Sequence, residues 1–139
     1  MLNKTPIEFS DSINFKDWLK VADEDFNFAS VNLSEKRNSY YSQICFFFQQ
    51  AAEKYLKAYI VAKKLEFRKI HELPTLLQIC QGGDSDFKEL RTECDYLTEF
   101  YFETRYPASL PASTLNQKIA EKAQKAAKRI GDFVKEKLI

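Results

Sequence analysis

The sequence predicts an all-α protein, an up-and-down four/five-helix bundle in one domain over residues 1–139 with its core at about 14–138. Three observations predict it. The 139 residues include only three glycines and four prolines, the residues strand-rich folds use at turns. Apolar side chains recur at three- and four-residue intervals through long segments, and no segment alternates as a strand does. No repeat, low-complexity tract or interdomain linker divides the chain, which at this length buries roughly two-thirds of its unfolded surface as one unit.

The first helix is written in INFKDWLKVADEDFNFASVNL. Phe15, Trp18, Ala22, Phe26, Ala29 and Leu33 form one apolar stripe. Asn14 is the expected cap with Asp17 three residues on, and Ile13 and Trp18 stand at the positions of a hydrophobic staple. The second is SYYSQICFFFQQAAEKYLKAYIVAKKL, with Tyr41, Cys45, Phe48, Ala52, Tyr55, Tyr59 and Ala62 in unbroken 4-3-4-3 spacing. Nothing interrupts Tyr40 to Leu65, so one helix of about 39 Å is expected. Ile44, Phe46, Phe47 and Leu56 widen its apolar surface beyond one stripe. Such a helix is central to the bundle or also forms a dimer seam.

After the linker EFRKI comes HELPTLLQICQGG, with Pro74 suited to a first turn and Gly82 and Gly83 to an end. SDFKELRTECDYLTEFYFETR then places Phe87, Leu90, Cys94, Leu97 and Tyr101 on one face, and Pro107 stops the helix near Arg105. Thr114 and Gln117 are the expected capping box of the last helix, whose inner face carries Leu115, Ile119, Ala123, Ala126, Ile130 and Phe133. Lys118, Lys122, Lys125 and Arg129 make a basic stripe on its outer side.

The net charge of +1 carries no bulk polybasic signal. Residues 1–35 hold seven acidic side chains against three lysines, and residues 118–139 hold seven basic against three acidic. The plain reading is two solvated helix faces; the other is two docking surfaces. Cys45, Cys80 and Cys94 lack C-x-x-C spacing, and with one histidine in the chain no metal site is expected. Reduced, buried thiols, an N-terminus without a signal-peptide core and an apolar run of only Ile44–Phe48 fit a cytoplasmic protein without a membrane partner.

Four positions could carry chemistry. Arg105 continues the core stripe one turn beyond Tyr101, either aimed at a phosphate or closing the helix as a C-terminal cation. His71 is the only imidazole, so acid–base chemistry through one must use it; its ordinary reading is a structural hydrogen bond. Lys54 and Lys57 could meet a phosphate, although Glu53 and Lys57 also read as a solvated i,i+4 pair. Phosphate loops, dinucleotide fingerprints, zinc-protease and nucleophile-elbow motifs are absent.

In order, WLKVADEDFNFA, YSQICFFFQQAAEKYLKAYI, KIHELPTLL and LTEFYFETRYP resemble the HEPN domain family (higher eukaryotes and prokaryotes nucleotide-binding). The resemblance runs from about Phe15 to Lys135. It implies an all-helical, commonly dimeric bundle. One branch works beside small nucleotidyltransferases and binds their nucleotide or nucleic-acid substrate. Another contains metal-independent RNases, often toxins of toxin–antitoxin pairs, marked by R-x(4–6)-H.

Arg105 matches that signature, but the histidine positions hold Leu110, Pro111 and Ala112. A conventional HEPN ribonuclease is therefore not expected. The resemblance implies a nucleotide- or RNA-binding accessory partner of a small nucleotidyltransferase, a homodimer without a cofactor. Arg105 would pair with phosphate and Tyr106 or Tyr101 would stack on a base, with Lys54, Lys57 and His71 as further candidates. The alternatives are an RNase toxin with a variant site using His71 and Arg105, and a pure protein-interaction module.

Overall fold

Asn14 caps the first helix as its side chain predicts, accepting from the N–H groups of Lys16 at 2.8 Å and Asp17 at 3.2 Å. The Asp17 carboxylate returns a bond to the Asn14 N–H at 3.1 Å, completing the capping box. The computed structural model describes residues 14–103 and 115–139, so Ile13 lies outside the described residues. Helix α1 spans Phe15–Ser34, α2 Tyr41–Ala62, α3 Leu73–Gly83, α4 Arg91–Thr98, α5 Phe100–Glu103 and α6 Gln117–Leu138. A 3-10 turn, Ser85–Leu90, precedes α4. No strand occurs among the described residues.

The topology follows from side-chain pairs. Phe28 meets Phe47, Phe26 meets Phe48, Lys54 reaches Asp25 and Tyr55 reaches Asp23, so α2 runs antiparallel to α1. Tyr96 bonds the Ile119 carbonyl, Arg129 pairs with Glu93 and Lys137 with Asp86, so α6 returns antiparallel to the fourth segment. Helix α2 packs against α1, α3, α4, α5 and α6, which makes it the central helix. Its residues from Ile44 to Ile60 are buried except Phe46, Phe47, Gln50 and Lys54, which are partly exposed.

Three local readings are corrected. The central helix ends at Ala62, not Leu65: Lys64 turns left-handed at φ 55° and the Leu65 N–H bonds back to the Ile60 carbonyl at 2.9 Å. The fourth segment is not one helix: Asp84 caps a 3-10 turn and α4 is interrupted at Glu99. The last helix is capped by Asn116, whose side chain accepts from the Ile119 N–H at 2.9 Å. Gln117 instead donates forward to Glu121 at 3.0 Å, and Thr114 lies outside the described residues.

The charge asymmetry is partly resolved inside the molecule. Lys135 of α6 pairs with Asp23 of α1 at 2.7 Å, and Lys54 pairs with Asp25 at 2.6 Å. The Tyr55 hydroxyl also donates to Asp23. Its ring lies so close to α6 that a Cβ on Gly131 would stand 2.7 Å from it. Here the absent side chain is what lets two helices approach. The three cysteines are free and buried. No described helix is long and apolar enough to cross a membrane.

Candidate functional site

Gln49, Glu53 and Lys57 recur every four residues on α2, so they lie in one row on its surface. That row faces inward: the three residues are 0%, 4% and 5% exposed. The solvated pair expected of Glu53 and Lys57 is therefore a buried one, with Nζ 2.8 Å from Glu53 Oε2. The cause is the segment leading into α3, which crosses over the row. Phe67 lies on Trp18 at a centroid distance of 5.7 Å, and the Lys57 ammonium sits 5.7 Å and 6.0 Å from those two rings. A desolvated charge needs a partner, and Glu53 supplies it.

His71 ends the crossing. Its Nδ1 lies 3.1 Å from both Glu53 oxygens, and its backbone carbonyl accepts from Gln49 Nε2 at 3.2 Å. A carboxylate only accepts, so Nδ1 carries the proton in the neutral ring and Nε2 keeps a lone pair. Nε2 has no partner among the described residues. The side chain is 44% exposed and lies flat on Tyr101, centroids 4.2 Å apart and planes 13° from parallel. Tyr101 in turn meets Phe46 at 5.9 Å.

Gln49 completes the floor, its Nε2 also 3.4 Å from Glu53 Oε1. Its Oε1 is buried without a hydrogen-bond partner among the described residues. An acceptor left unsatisfied in this way costs about 1–3 kcal/mol. The assembled site is a planar stacking surface and a carboxylate-oriented imidazole, over a buried amide and ion pair.

A family model for the HEPN domain matches residues 15–137. The chain belongs to the HEPN family. Its HEPN fold is also seen in solved structures. TT1696 from Thermus thermophilus is 31% identical with a TM-score of 0.79, over 88% of this chain and 97% of that one. ST0689, an archaeal HEPN homologue, is 25% identical with a TM-score of 0.72, over 91% of this chain and 98% of that one. No curated protein matches the chain.

Of the residues the sequence nominates, this HEPN fold brings together His71, Tyr101 and, through Glu53, Lys57. Lys54 stands apart, on the side of α2 that faces Asp25. Arg105 and Tyr106 lie outside the described residues. Sequence reasoning passed over Gln49. The signal was three polar residues at four-residue spacing in a helix otherwise apolar nearly all round, more than a solvated face requires.

A second polar cluster joins Asp23, Tyr55 and Lys135 between α1, α2 and α6. Burial first, then the bond to Asp23, pushes the Tyr55 phenol well above its usual range, so it remains a neutral donor. Among the described residues no group of three His, Cys, Asp or Glu side chains is placed to hold a metal.

Proposed function

We propose that this HEPN protein binds a nucleotide or RNA ligand at the His71–Tyr101 stack, as the accessory partner of a small nucleotidyltransferase in a cytoplasmic toxin–antitoxin-type pair. The observation that carries the reading is the stack itself. Two parallel rings, one of them half-exposed, offer a π-face that a base can extend. The His71 Nε2 adds an acceptor beside it, suited to an exocyclic amino group. Arg105 is assigned to the phosphates because its guanidinium forks onto phosphate oxygens. Lys57 serves indirectly, by pairing with Glu53 at 2.8 Å beneath His71.

Titration of ATP and other nucleotides onto the purified protein tests this, repeated with His71→Ala and Arg105→Ala. At least tenfold weaker binding is expected in His71→Ala. Equal affinity in both variants and the parent would remove the site.

The same reading takes the protein as a homodimer. Phe28, Val31 and Tyr40 are 52%, 68% and 62% exposed, and the groove of about 400 Å³ beside them is lined by Phe28, Asn32, Tyr40, Gln43, Ile44 and Phe47. An uncharged, aromatic surface of this kind suits contact with a second copy. Sedimentation of Val31→Glu is expected to show monomers.

One observation favours a second reading, the RNase with a variant site. Glu53 orients His71 as a carboxylate orients a general base, leaving Nε2 able to take a ribose 2′-hydroxyl proton. Cleavage of varied RNAs in EDTA, abolished by His71→Ala, would establish it; inertness at high protein concentration would exclude it.

A further inference from the structure

The seven basic side chains of α6 are divided by their partners. Lys128 pairs with Asp132 at 2.8 Å, Arg129 with Glu93 at 2.8 Å, Lys135 with Asp23 at 2.7 Å and Lys137 with Asp84 and Asp86 at 2.9 Å each. Lys118, Lys122 and Lys125, all exposed, make no ion pair among the described residues. The basic stripe legible in the sequence therefore loses Arg129 to a carboxylate and keeps only its first three members. They line an open groove of about 500 Å³ together with Tyr96, Ile119 and Glu121. Glu121 is turned back toward the Gln117 amide at 3.0 Å.

We infer that this groove is a docking surface for the phosphate backbone of single-stranded RNA, with Lys118, Lys122 and Lys125 contacting successive phosphates. The inference rests on the nucleotide- or RNA-binding reading above and makes the ligand a polymer. Along α6 the three lysines rise by about 6 Å and then about 4.5 Å, so one small anion cannot touch them all whereas a chain of phosphates can. Their compact ammonium groups suit phosphate as point charges; the groove has no guanidinium fork for a planar carboxylate.

Tyr96 supports the arrangement. Its hydroxyl is fixed on the Ile119 carbonyl at 3.0 Å, and Lys122 lies 4.4 Å from its ring centre. That contact holds one cation over the groove without neutralising it. Lys118 stands in the first turn of α6, which has no acidic residue. A cation there is unfavourable for the helix, and a bound anion would offset that cost.

Anisotropy titrations of a labelled oligouridylate between 50 and 200 mM salt test the proposal. Three phosphate contacts on a single strand give a log–log salt slope near −2, or about twentyfold weakening over that range. The variant Lys118→Gln/Lys122→Gln/Lys125→Gln is expected to lose about that much of the slope, and arginine at the three positions should restore it. Lys16→Gln/Lys20→Gln/Lys36→Gln removes the same charge from exposed positions of α1 and the turn after it, and should leave the slope unchanged.

No RNA binding by the parent protein, or equal slopes for the two glutamine variants, would overturn the proposal. So would preferential binding of polyglutamate through the same lysines, which would make the groove a site for an acidic protein. Titration of ATP in parallel separates the two claims. Loss of ATP binding with retained lysine-dependent RNA binding would sink the stacking site and leave this groove standing.

Discussion

His71 lies face to face on Tyr101, 4.2 Å away and 13° from parallel, while its Nδ1 is held 3.1 Å from both oxygens of Glu53. One side of the imidazole geometry is thus set by a ring on α5 and the other by a carboxylate on α2. Neither contact alone would fix the ring plane and the tautomer together.

Replacing Tyr101 with Leu keeps an apolar side chain but removes the parallel ring. Nucleotide affinity is expected to fall about tenfold, within the roughly 1–3 kcal/mol range of base–aromatic stacking, and Tyr101→Phe should preserve it. Isothermal titration of the three proteins reads this directly. Equal losses in the Phe and Leu variants would shift the role from the ring face to the hydroxyl.

The Glu53–Lys57 pair should behave as a buried unit. Lys57→Met leaves a carboxylate at 5% side-chain exposure without its lysine, and a loss of about 3–5 kcal/mol is expected. Glu53→Gln leaves the ammonium beside Trp18 and Phe67 with no counter-charge. The double variant removes both charges and should be more stable than the sum of the single losses predicts. A cycle from urea unfolding with coupling below about 0.5 kcal/mol would mean that the pair is open to solvent.

The bundle was legible because its determinants are local. Ala22, Ala29 and Leu33, then Cys45, Phe48 and Ala52, are buried where periodicity puts them, and Asn14 caps where its side chain predicts. The candidate site was legible in its parts but not in its assembly. Glu53 and Lys57 have the same spacing whether their face meets water or protein. What decides is the segment through Phe67 to His71 lying over them, a contact across eighteen residues between Glu53 and His71. Helix ends were less legible where a residue without obvious turn chemistry takes the special conformation, as Lys64 does.

Two helical glycines should respond oppositely to alanine. At Gly82 no atom lies within 4 Å of a new Cβ and φ is not positive, so Gly82→Ala should stabilise by about 0.5–1 kcal/mol. At Gly131 the Cβ would meet Tyr55 carbons at 2.7 and 2.8 Å, so the ring must leave Asp23 or α6 must move. A net loss of about 1–3 kcal/mol is expected despite the better helix propensity. Thermal melts of both variants settle the sign.

Lys137 ties the last turn of α6 to the start of the 3-10 turn, 2.9 Å from both Asp84 and Asp86. Its hydrogen bond lowers the Asp84 pKa from an ordinary 3.8, and the two carboxylates raise that of Lys137 from 10.5. The depressed Asp84 contributes stability above its unfolded value, lost as pH falls through the folded one. The raised Lys137 contributes below its unfolded value, lost as pH rises through the folded one. The stability difference between parent and Lys137→Met should therefore be greatest on the plateau between those ordinary values and shrink toward both extremes. A pH-independent difference in urea midpoints would assign the role of Lys137 to packing against Phe133.

Cys45, Cys80 and Cys94 are each 0% exposed, and burial raises all three thiols, Cys45 and Cys94 to about 12. Cys80 is further engaged, its thiol donating to the Leu56 carbonyl at 3.6 Å. The thiolate is the reactive form, so these groups are protected both by access and by protonation. Under native conditions an aromatic disulfide reagent should label none of them, and in denaturant it should label all three. Labelling should then follow opening of the bundle, and core-loosening Gly131→Ala should accelerate it. Fast reaction of one cysteine in the folded parent would show that its part of the core opens on its own.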